Sequence, residues 1–152
     1  MVRTMTHTGA DEWREEAELR VRRAGLRSGQ TRRAVMEVLA GEGRCLMSAQ
    51  DVIDAIDVGS RASVYRVLDD LYELGLLHRM DGRDGIARFE IAHPDPDHHH
   101  HHVVNEETGE ITAFSDPVLE AAIAAIADRL GFELSGHDVI LRGRPRTDDG
   151  TA

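Results

Sequence analysis

The sequence predicts an α+β fold in two parts: an N-terminal helical segment closed by a β-hairpin, and a smaller C-terminal segment of strands around one helix. Three observations predict it. Apolar residues recur at helical spacing through the first half, most cleanly at Val64, Val67, Leu68, Leu71 and Leu74. Two short apolar runs then flank Asp81-Gly82-Arg83-Asp84-Gly85, a turn-rich stretch that marks a hairpin. Beyond His93-Pro94-Asp95-Pro96-Asp97, where each residue before a proline is pushed out of the helical region, the histidine run 98–102 leads straight into Val103-Val104.

The elements follow in order. Residues 1–10 are polar and are expected to fray. Trp13, Ala17, Leu19 and Val21 predict a helix over 11–23, ended by Gly25. Ser28 is placed to cap a second helix that carries Ala34, Val35, Val38 and Leu39 on one face. Gly41 and Gly43 stop it. Ser48-Ala49-Gln50-Asp51 has capping-box spacing and opens a short third helix through Val52, Ile53 and Ile56. Ser60 caps a fourth helix, Arg61 to Leu74, and Gly75 stands where a left-handed C-cap is expected. Leu76–Met80 and Ile86–Ile91 form the hairpin. A second hairpin joins the histidine strand to 110–114 through a turn at Asn105–Gly109. Asp116-Pro117 starts the last helix, with Leu119, Ile123, Ile126 and Leu130 facing a core. Phe132–Leu134 and Val139–Leu141 predict strand on either side of His137, and the tail from Arg144 is expected to be disordered. Domains are therefore placed at 1–92 and 98–143, with a hinge at 93–97 and a tail at 144–152.

Net charge is −10, which by itself argues against nucleic acid. Its distribution argues otherwise. Every one of the 18 basic residues is arginine, and 20, 22, 23, 27, 32 and 33 form a stripe with no acid among them. No run of about 18 apolar residues exists, so no membrane span is expected. Met1 to Ala10 has no signal-peptide core, and Cys45 stands alone, so a cytoplasmic protein without disulfides is expected.

Helices followed by a hairpin make a winged helix-turn-helix, whose recognition helix lies in the major groove of DNA. The exposed face of the fourth helix begins with Arg61, Ser63, Tyr65 and Arg66. Arginine can be bidentate to guanine, and tyrosine can meet a thymine methyl or a phosphate. The plainer reading is a solvated helix face.

The histidine run asks for metal. If extended, His99 and His101 point one way and His98, His100 and His102 the other, so one strand can serve two metal sites. A tag would sit at a terminus, and this run lies within the chain. Glu120, one turn into the last helix, and His137 are the other candidate ligands. Each alone is more often a solvated or packed side chain, and their candidacy rests on the cluster. Three imidazoles and one carboxylate make a closed four-coordinate site.

The order of these motifs resembles the ferric uptake regulator family of metal-sensing repressors. Gly25-Leu26-Arg27, Thr31-Arg32, Val38-Leu39, Ser48-Ala49, Ala62-Ser63-Val64-Tyr65-Arg66-Val67-Leu68, Gly75-Leu76-Leu77, Arg88-Phe89-Glu90, the histidine run with Val103-Val104, Phe114-Ser115-Asp116 and Gly131-Phe132-Glu133 before His137 carry the resemblance, over about residues 20–143. It implies an N-terminal winged helix that binds operator DNA and a small α/β domain that forms a homodimer. Tyr65 and Arg66 match base-approaching residues, and Arg27 one that reaches the minor groove. His99, His101, Glu120 and His137 match the site within the dimerisation domain. His100 and His102 match two ligands of a hinge sensor site, for which His78, Glu90 and His93, and more distantly Cys45, are further candidates. Asn105 and Thr108 stand where many relatives carry a structural Cys-x-x-Cys pair, and Ala113 where many carry an acidic hinge ligand. Both departures resemble the iron response branch, some of whose members sense haem.

The expected function is thus a metal-dependent repressor, not an enzyme, in which metal closes the hinge of a dimer onto a palindromic operator. Zinc and iron(II) lead, manganese and nickel suit the same donors, and haem is the alternative effector. A histidine-rich storage protein is the alternative from another class. An enzyme would leave the winged helix unexplained.

Overall fold

The computed structural model of the chain describes residues 7–41, 45–93 and 100–146. They fall into two compact units, 7–93 and 100–146. The proline-rich segment from Pro94, with His98 and His99, and the tail from 147 lie outside the described residues. No described helix is long and apolar enough to cross a membrane.

The first unit runs α1 (His7–Arg23), α2 (Gln30–Leu39), β1 (Met47–Ser48), α3 (Ala49–Asp54), α4 (Arg61–Glu73), β2 (Leu77–Asp81) and β3 (Ala87–Ile91). Trp13, Ala17 and Val21 repeat every four residues, so α1 lays one stripe into the core. Val35, Met36 and Leu39 of α2, Val52 of α3, and Val64, Val67, Leu68 and Leu71 of α4 meet it, and Leu77, Phe89 and Ile91 close it from the strands. Trp13 is wholly buried. Its indole N–H donates to the Leu76 carbonyl at 2.8 Å, so that burial leaves no polar atom unsatisfied.

The helix starts are written locally. Ser48 with Asp51 and Ser60 with Ser63 each form a capping box. The second helix differs from expectation: its N-cap is Gly29, without a side-chain bond, and Ser28 lies one residue outside. The third helix ends at Asp54, and Ile56 reaches the core from the loop after it. The first helix begins at His7, earlier than its apolar spacing suggested. Strand β3 is central, antiparallel to both β2 and the two-residue β1, a strand too short to show a period. The wing turn is closed by Asp84, which accepts the Ile86 N–H at 3.0 Å and is gripped by Arg88 at 2.7 Å. The Arg88 guanidinium, helped by that amide, holds the Asp84 carboxyl down at about 2.

The second unit comprises β4 (His101–Asn105), β5 (Ile111–Phe114), α5 (Pro117–Leu130) and β6 (Ile140–Gly143). Strand β4 is central, antiparallel to β5 and parallel to β6. Asp116 accepts the Val118 and Leu119 amides, Pro117 opens α5, and Gly131 closes it at φ 75°. The histidine strand starts at His101, and His100 precedes it. No strand forms at Phe132–Leu134; the strand near His137 is β6, which takes the edge of β4 that β5 leaves open.

The expected core of this unit is corrected as well. Among its described residues, Ala127 is the one apolar side chain that is buried. Leu119 and Ile123 are half-buried, Ile126 is exposed, and Leu130 is 67% exposed. Val118, Phe132, Leu134 and Leu141 are also exposed. A single helix on three short strands covers only part of its apolar surface.

Candidate metal centre and nucleic-acid interface

The centre is built on β4. The strand's alternation sends His101 to the face covered by α5, where it is wholly buried. Phe114, directly across in register on β5, packs against its ring at 5.6 Å between centroids. Glu120 is in the first turn of α5, so the Asp116 cap that sets the helix start also sets the carboxylate. Its Oε1 lies 2.6 Å from His101 Nε2, and its Oε2 lies 3.0 Å from His137 Nε2. The two imidazoles are 5.1 Å apart, centre to centre. The three side chains come from a strand, a helix and the segment before β6, yet their donor atoms all lie within 4.8 Å of one another.

That donor set fits a divalent transition metal. Zinc takes imidazole nitrogen and carboxylate oxygen at about 2.0–2.2 Å, which places tetrahedral ligand atoms about 3.3 Å apart. The observed spacing needs only small side-chain movement to reach this. Two nitrogens and an oxygen leave a place for one more donor, and His99, the fourth expected ligand, lies outside the described residues.

The remaining metal candidates are split between the units. In the first, His78 and Glu90 face each other in register across β2 and β3, so their side chains share a face of the sheet. His93 follows β3 and lies so close over Gly9 that a Cβ there would sit 2.3 Å from its Nε2. Cys45 is half-buried just before β1. In the second unit, His102 is buried and His100 is half-buried.

On α4, Arg61, Tyr65 and Arg66 are exposed, and Arg27 is exposed ahead of α2. Arg61 donates to Gln50 at 2.6 Å. Ser63 is engaged within its own helix, because its hydroxyl accepts the Ser60 N–H and donates to the Ser60 carbonyl, closing the helix start. The arginine stripe is also narrower than the sequence suggests. Arg20 is engaged by Glu16 at 2.6 Å and by the Leu74 carbonyl at 3.1 Å. Arg32 is buried against Asp70 of α4. No sequence signal marked Asp70 as its partner, because the two are 38 residues apart.

The fold and these residues define a class: a winged helix-turn-helix followed by a small α/β domain holding a histidine–carboxylate cluster. Comparison with known proteins narrows it. Residues 23–142 match the ferric uptake regulator family. The ferric uptake regulation protein of Pseudomonas aeruginosa is 36% identical over 137 residues, covering 87% of this chain and 98% of that protein. The crystal structure of the Vibrio cholerae ferric uptake regulator superposes with a TM-score of 0.71 at 31% identity, over 82% of this chain and 96% of that one. The manganese-containing structure of the Pseudomonas aeruginosa ferric uptake regulator superposes at 0.68 and 32% identity, over 86% and 98%. The chain belongs to the ferric uptake regulator family, whose members are metal-responsive transcription regulators and not enzymes.

Proposed function

We propose that this protein is a metal-dependent repressor that binds a palindromic operator as a homodimer, with zinc(II) or iron(II) as effector. The observation that carries the reading is the convergence of His101, Glu120 and His137 within 4.8 Å in a chain whose α4 exposes Arg61, Tyr65 and Arg66. His101, Glu120 and His137, with His99, would hold one divalent ion, whose charge ties strand, helix and the segment before β6 together. His100 and His102, with His78, Glu90 or His93, would hold the ion that closes the hinge.

Such a switch has a defined energetic requirement. Moving a two-state equilibrium from 1:99 to 99:1 takes about 10⁴-fold tighter binding to the favoured state. Ligands drawn from both sides of a hinge meet that requirement, because the open form cannot satisfy them together. Arg27, Arg33, Arg61 and Arg66 supply phosphate and base contacts, while the acidic remainder holds down non-specific binding.

A gel shift of the apo protein on its own promoter tests the reading, with zinc(II), iron(II), manganese(II), nickel(II) and haem added separately. One divalent metal is expected to switch on binding in the wild type and not in H100A/H102A. R66A is expected to lose the shift while still binding metal. Metal uptake with no shift under any condition would favour a storage protein, and release of an already bound apo protein by haem would move the effector from metal to haem.

A further inference from the structure

We infer that Arg32 is a positioning residue for the DNA-reading helix, acting through its part-buried ion pair with Asp70. The inference rests on the reading of α4 as that helix. Arg32 is 8% exposed on α2, and its Nη2 is paired with Asp70 Oδ2 on α4. Its Nε and Nη1 are buried with no hydrogen-bond partner among the described residues.

A pair built this way is a poor stability device. Arg32 is desolvated and incompletely satisfied while Asp70 is only half-buried, and a buried charge held this way commonly does no better than an apolar side chain of the same volume. What the pair adds is direction. The buried core residues of the two helices are otherwise apolar, Val35, Met36 and Leu39 on α2 and Val64, Val67, Leu68 and Leu71 on α4, and apolar burial is indifferent to small rolls and slides of one helix on another. A planar guanidinium on a carboxylate is not. Asp70 lies four residues after Arg66, on the same flank of α4, so a roll that moves one moves the other. Arg32 is next to Arg33 and follows Arg27, the basic residues at the α2 end. The pair therefore sets where Arg61, Tyr65 and Arg66 stand relative to Arg27 and Arg33. The basic stripe read from the sequence includes Arg32 among its phosphate contacts; its burial removes it from the surface and gives it this role.

The test compares specific with non-specific binding. The full-length wild type first selects an operator from a random-sequence duplex pool, with zinc(II), iron(II), manganese(II) or no metal. Fluorescence anisotropy is then read on the selected duplex and on its scrambled version, for wild type, R32M/D70L, D70E and R32K. R32M/D70L is expected to keep a folded circular-dichroism spectrum and an unchanged or higher melting midpoint. Its affinity for the scrambled duplex should stay within about twofold, since the surface arginines are untouched. Its affinity for the operator should fall about tenfold or more, the scale of one misplaced base contact. D70E, which keeps the carboxylate, should retain more of the discrimination than R32K, which loses the fork. A folded R32M/D70L that discriminates as the wild type does would overturn the inference. If that variant does not fold, equal discrimination by wild type, D70E and R32K would overturn it instead. If the wild type enriches no sequence from the pool, the failure lies in the DNA reading itself, and the inference falls with it before any variant is made.

Discussion

The two units of this protein bury their apolar side chains very differently. In the first, α1 to α4 and the wing strands close around Trp13, Val35, Val52, Leu68 and Leu71, all essentially inaccessible. In the second, Ala127 is the one buried apolar residue among those described, and the deepest side chains are His101 and His102. Val118, Leu130 and Phe132, by contrast, are each more than two-thirds exposed. Large apolar side chains left this exposed suit a surface that another protein covers. The first unit has a buried apolar core of its own. The second is a half-core that a second copy would complete, which is the physical case for a homodimer. The deepest side chains of the second unit are thus polar ones, at the position where the first unit places apolar side chains.

That contrast can be broken or sharpened by experiment. The largest effect is expected from Trp13→Ala. Removing a fully buried indole costs about 3–5 kcal/mol, and the Leu76 carbonyl loses one of its two donors, keeping the Ala92 N–H. Chemical denaturation should show the first unit unfolding at much lower denaturant. Unchanged stability would mean the core is not organised around α1. Next comes L130D/F132D on the second unit. If these exposed side chains anchor a dimer, the dissociation constant should rise by roughly thirty-fold or more, about 2 kcal/mol, as judged by analytical ultracentrifugation. The first unit's unfolding should not move. An undisturbed dimer would place the interface elsewhere.

Ser60→Ala should have a smaller effect. It removes one half of the α4 capping box and should cost about 1 kcal/mol, visible as a lower melting midpoint. The smallest effect concerns the wing. Asp84 is depressed from 3.8 to about 2, so its bonds to Arg88 and Ile86 contribute fully above pH 4 and are lost as pH falls through 2. Carboxyl-carbon NMR should give a midpoint near 2, moving toward 4 in R88M. A midpoint already at 4 in the wild type would show the wing turn to be open.

Much of this architecture was legible in the chain, and the legible parts share a cause. The capping box at Ser48, the Ser60 cap and the Asp116-Pro117 start are settled by side chains within three residues of the backbone groups they satisfy. Where local chemistry was ambiguous, as with Ser28 beside Gly29, the start moved by one residue. The strand at Phe132–Leu134 failed for a different reason: these residues follow the Gly131 cap as exposed chain, and a strand forms only where the tertiary structure lays a segment along a sheet edge, which its own residues do not specify. The stripe on α5 showed that the helix has an apolar side but not what covers it.

By itself the sequence determined the order and type of most elements and the stock of nitrogen and oxygen donors, because both depend on residue identity and short-range spacing. Only the tertiary structure decided which donors meet. Glu120 and His137 reach His101 because α5 and the segment before β6 are laid against one face of β4. Only the tertiary structure took Arg32 out of the basic stripe and paired it with Asp70, and only it left Leu130 and Phe132 exposed. Those outcomes depend on contacts between residues far apart in the chain, and such contacts have no periodicity for a sequence to display.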